Sequence, residues 1–87
     1  MKVEAITDIE RVPLAIDYRR MYRGTAMISI GDRTVPGSRI EFALELSALG
    51  GHEVSVSFLE SADYPIVPAI RILKDHIKLL DRDGGLP

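Results

Sequence analysis

The chain has 87 residues, with 46% hydrophobic and 28% charged side chains, enough for one domain and one modest core, since a chain of this length buries only about 60–65% of the surface it exposes when unfolded. Eleven basic and thirteen acidic side chains leave a formal charge of −2, which excludes the long-range basic field that usually draws a domain to DNA or an anionic membrane. The absence of cysteine excludes disulfides, thiolate metal sites and a cysteine nucleophile.

The opening stretch "MKVEAITDIERVPL" carries acidic residues where a signal peptide needs an apolar run. No stretch approaches the roughly 18 apolar residues of a membrane span. The expectation is a cytoplasmic chain, residues 1–87 forming a single domain, that binds neither DNA nor membrane. Next, "VPLAIDYRRMYRG" reads two ways. As a strand, Val12, Leu14, Ile16 and Tyr18 alternate until Arg20. As a helix, Pro13 opens it, Gly24 closes it, and Leu14, Tyr18, Met21 and Tyr22 share a stripe. Its β-branched and aromatic content tips the reading toward a strand. "TAMISI" alternates Ala26, Ile28 and Ile30 against small or polar partners, and "GD" and "VPGS" then supply turns.

The strongest signal follows. In "RIEFALELS", Ile40, Phe42, Leu44 and Leu46 point one way while Glu41, Ala43, Glu45 and Ser47 point the other. In "HEVSVSFLE", Val54, Val56 and Phe58 oppose Ser55 and Ser57. Two alternating runs around a Gly-Gly loop predict an antiparallel hairpin. From Pro68, Ala69, Ile70, Leu73, Ile77 and Leu80 recur at helical spacing, and Gly84 and Gly85 end the pattern. The predicted fold is α+β and two-layered: an antiparallel sheet of three to five strands against a C-terminal helix, with a short loose tail at 81–87. Glu41, Glu45, Ser55 and Ser57 would decorate the open sheet face. Ile72, His76 and Leu79 widen the helix's apolar side beyond what one sheet face needs, and are the expected interface residues.

Chemistry is sparse. His52 and His76 lack the converging ligands that a metal site requires. The serines carry neither a G-x-S-x-G elbow nor an S-x-x-K motif, and "ALGGHE" matches no phosphate-binding loop. Neither a catalytic residue, a metal nor a cofactor is expected.

The densest polar cluster is "YRRMYRG", where Arg19, Arg20 and Arg23 flank two tyrosines. Guanidinium groups fork onto phosphate and stack on rings. The spacing of Arg19 and Arg23, followed by Ser47 and Gly50 in "ELSALG", resembles the R-x-x-x-R and [D/N]-x-S-x-x-G pair of PilZ domains, with Glu45 where that family has Asp or Asn. The resemblance implies a cyclic di-GMP receptor on a β-barrel, contacting its ligand through Arg19, Arg20, Arg23, Ser47 and Gly50. A C-terminal helix, however, takes up much of the chain that such a barrel would need for further strands. The structural expectation for the arginines is that they blunt an exposed edge strand or pair with carboxylates. The leading functional expectation is a non-catalytic module that binds a protein partner or itself. A nucleotide receptor and an RNA-binding module are the alternatives.

Overall fold

A computed structural model describes residues 1–87, the side chain of Thr34 excepted. Strands β1 (Lys2–Val12), β2 (Arg19–Ile30), β4 (Ser38–Leu46) and β5 (His52–Phe58) form an antiparallel sheet in the order β1-β2-β4-β5, and the two-residue β3 (Arg33–Thr34) pairs with the end of β2. Helix α1 (Ile66–Arg82) lies across one face. The fold is the α+β two-layer arrangement that the alternating runs and the helical stripe predict.

The hairpin forms where alternation is unbroken. Ile40 pairs with Phe58, Phe42 with Val56 and Leu44 with Val54, so each β4 side chain on the helix side meets an apolar partner. The Gly50–Gly51 turn needs two successive left-handed residues, φ 86° and 77°, which side chains with a Cβ disfavour. Leu46, expected inward, is 55% exposed at the end of its strand. Ala43, expected on the polar side, is only 2% exposed: a lone methyl is overtopped by Met21, Glu41 and Glu45, its cross-strand and same-face neighbours.

The segment 12–23 is part strand and part loop. Val12 closes β1, residues 13–18 form the connection, and β2 starts at Arg19. Leu14, Ile16 and Tyr18 alternate in sequence but are exposed. β1 itself carries no clean period of two, because register shifts fall between Val3 and Ala5 and between Thr7 and Glu10. Each shift adds a residue and resets the phase, which brings Val3, Ile6 and Ile9, three apart, onto the core. Asp8 sits at φ 53° within the second shift, a conformation that Asp tolerates better than most residues. Opposite it, Gly24 leaves room for the bulge: a Cβ there would lie 3.0 Å from Ile6 Cγ2 and 3.2 Å from the Thr7 carbonyl oxygen.

Helix α1 begins earlier than its periodicity suggests. Pro65 is the N-cap, and Pro68 falls in the first turn, where a missing N–H removes no helical bond. Ala69, Leu73 and Ile77 are fully buried. They meet Tyr22, Phe42, Ile28, Ile40, Leu44, Val54 and Val56 in a single core. Tyr22 stacks on Phe42 with centroids 5.2 Å apart, and Phe58 meets Tyr64 edge-on at 5.9 Å. The buried Tyr64 hydroxyl donates to Ser38 Oγ at 3.3 Å. The helix runs through Asp81 and Arg82, where the sequence pattern predicts the start of a tail, and Leu86 packs back on the core.

Phe42 is fully buried and Phe58 half-buried. Phe42→Ala is therefore expected to cost about 3–5 kcal/mol, and Phe58→Ala distinctly less. Urea denaturation of both variants checks this; equal losses would show that Phe42 is not the centre of the core.

Candidate functional site

Strand alternation divides the arginine cluster. β2 is an interior strand, so the arginines do not blunt an edge as expected. Tyr22, Gly24, Ala26 and Ile28 point to the helix, and Arg20 shares their face. Arg19 and Arg23 point to the opposite, open face.

Each arginine has a carboxylate. On the open face, Arg23 Nε donates to Glu41 Oε2 at 2.9 Å, and Arg19 Nη1 lies 3.7 Å from Glu45 Oε2, both across the β2–β4 ladder. Glu45 stands where the PilZ pattern has Asp or Asn, and here it is the partner of Arg19. Glu53 pairs with Glu45 on β5 and Glu10 with Arg23 on β1, so acidic groups surround these two cations. Ser47 accepts the Leu49 N–H at 3.2 Å within the β4–β5 turn, and Gly50 belongs to the same turn. Arg19, Ser47 and Gly50 lie toward one end of the sheet, Arg23 lies further along the strand, and Arg20 lies behind it.

On the helix side, Arg20 Nη2 donates to Asp81 Oδ1 at 2.8 Å. This bond raises the guanidinium's affinity for its proton, against the opposing effect of burial. Arg20 Nη1 also donates to the Tyr22 hydroxyl at 3.3 Å, which itself donates to the main-chain oxygen of Pro87 at 3.1 Å. His52 Nδ1 stands 3.9 Å from Asp81 Oδ2. Asp81 thus ties the end of α1 to the start of β2 and faces the start of β5. Sequence reasoning places it in the tail, although it continues the Leu73–Ile77 face at the same four-residue step.

The interface candidates lie together. Ile72, His76 and Leu79 line a groove of about 290 Å³ with Met1, Lys2, Val3 and Asp75. Leu79 is 47% exposed and Met1 42%. Burial pushes the His76 imidazole below its ordinary value of 6.5, so the groove holds a neutral ring at pH 7. A wider depression of about 630 Å³ at the end of β5 is lined by Phe58, Leu59, Glu60, Ser61, Ala62 and Ile66. Among the described residues, no three of His, Cys, Asp or Glu are arranged to hold a metal. The serine side chains that form hydrogen bonds form them with Glu4, Tyr64 and the Leu49 N–H, and none with a histidine.

The chain belongs to the BB_0187 family, whose model matches residues 1–82 and so spans every strand and the whole helix. No curated protein and no solved structure matches it.

Two consequences are measurable. Arg20→Ala leaves the half-buried Asp81 without its charged partner and is expected to cost about 1.5–3 kcal/mol, whereas Arg23→Ala on the exposed face stays within about 1 kcal/mol. Equal losses in chemical denaturation would mean that the Arg20–Asp81 bond holds nothing together. For His76, the unfolded chain takes up a proton near pH 6.5 that the folded chain resists, so this residue subtracts stability as pH falls below that value. Between about pH 7.5 and about pH 5.5, the wild type should lose more stability than His76→Gln; parallel losses would show the ring to be freely solvated.

Proposed function

We propose that the chain is a small non-catalytic interaction module that presents the groove between the start of β1 and the flank of α1 to a protein partner. The observation that carries this reading is the groove itself. Ile72, His76 and Leu79 turn away from the sheet-covered side of the helix, and with Met1 and Val3 they make a continuous, mainly apolar surface beside the neutral His76. Contiguous exposed apolar surface rimmed by polar groups marks association sites more often than catalytic ones. Lys2 and Asp75 supply that rim. A cytosolic setting fits a chain without cysteine.

The geometry supports a cyclic di-GMP receptor less well. Arg20 lies on the other face from Arg19 and Arg23, and each guanidinium already faces a carboxylate. An incoming phosphate would have to displace Glu41 or Glu45 beside further acidic groups. RNA stacking is supported less well for a related reason: Tyr22 is buried against Phe42, which leaves Tyr18 as the exposed ring of the pair.

A photo-reactive amino acid placed at Leu79 in expressing cells should give a discrete protein adduct, while the same group at Asp32, in the exposed β2–β3 turn, should not. Absence of any adduct at 79, or equal labelling at both positions, would overturn this reading.

A further inference from the structure

We infer that the free edge of β5 is a self-association surface, on which a second copy of this chain adds its own β5 antiparallel to make one continuous sheet. The inference rests on the reading of the chain as an association module, names self as a partner, and uses a surface separate from the helix groove.

The two edges of the sheet differ. β1 is broken by two register shifts, has Asp8 in a left-handed conformation, and carries Lys2, Glu4, Asp8, Glu10 and Arg11. Bulges and charges of this kind are how natural edges avoid pairing. β5 has neither device. It is regular from His52 to Phe58, pairs without a shift along β4, contains no proline or lysine, and Glu53 is its one acidic residue.

The direction of its backbone groups follows from its neighbours. The Leu59 N–H donates to the Arg39 carbonyl, and the Gly51 carbonyl accepts from the Ser47 N–H. Orientation alternates along a strand, so Glu53, Ser55 and Ser57 bond toward β4, and the N–H and C=O groups of His52, Val54, Val56 and Phe58 point outward. Among the described residues, no other element lies beyond them in the sheet.

This edge is self-complementary in one register. A two-fold axis perpendicular to the sheet keeps each face on its own side, so outward residues must pair with outward residues. Centring the axis on Ser55 pairs Val54 with Val56 and His52 with Phe58 in both directions, which engages every outward-facing group. On the open face it sets Glu53 opposite Ser57 and Ser55 opposite its own copy. Shifting the axis to Glu53 brings two carboxylates face to face, which is unfavourable, and shifting it to Val54 or Val56 leaves Phe58 or His52 unpaired. The chosen register also seats the half-buried Phe58 against the partner's imidazole.

The chain has no cysteine, so an exposed serine replaced by cysteine reports distance between copies. In this register the Ser55 Cβ atoms face each other at about 4.5–5.5 Å, close to disulfide range. The Ser57 Cβ atoms are four residues apart along the joined strands, about 13 Å. Sedimentation equilibrium at high micromolar concentration should give a two-chain mass. Under mild oxidation Ser55→Cys should form a covalent dimer many-fold faster than Ser57→Cys. A single-chain mass at every concentration, no linkage at 55, or equal linkage at 55 and 57 would each overturn the inference. A chain that stays single while position 79 still captures a partner defeats edge pairing alone; a two-chain mass linked through 55 with no adduct at 79 defeats the groove alone.

Discussion

Tyr22 fixes which way everything else points. Its ring is buried and stacked on Phe42 beneath the helix, and its hydroxyl is held between Arg20 and the main chain at Pro87. A buried phenol needs a partner for its hydroxyl, and this one has partners at both ends of the sequence. Once Tyr22 is set inward, the two-residue period of a strand sends Arg20 inward with it and sends Arg19 and Arg23 outward. A run that is compact in sequence is therefore split by the thickness of the sheet. Arg20 becomes a clasp between β2 and α1, while its neighbours become rungs of a cross-strand ion ladder.

The hairpin and the helix were legible because their periods run uninterrupted over their full length. β1 was not, because its two shifts give Val3, Ile6 and Ile9 a spacing that matches neither a strand nor a full helical stripe. The connection at 13–18 misled in the opposite sense: Leu14, Ile16 and Tyr18 alternate without being buried, and alternation predicts a strand only where one face has something to cover it. The role of Asp81 was illegible for a third reason. Its partner is Arg20, 61 residues away, and no local pattern encodes a contact of that separation. The candidate groove was half legible. Helical spacing put Ile72, His76 and Leu79 on one flank, but that Met1 and Val3 form the opposite wall depends on where β1 runs in the sheet.

The uncovered surfaces have a common origin. A sheet with one helix above it has two edges and two helix flanks to protect, and a chain of 87 residues has little left with which to cover them. β1 is protected by irregularity and charge, and the helix flank beside it is left apolar. β5 is regular along its length, because its hairpin with β4 and its packing under α1 both depend on unbroken alternation. A bulge in β5 would guard the edge but would turn Val54 or Val56 out of the core. The same regularity that makes the hairpin the most stable reading of the sequence thus leaves its outer backbone unguarded. Further burial for a domain of this size has to come from a second polypeptide laid along one of these surfaces.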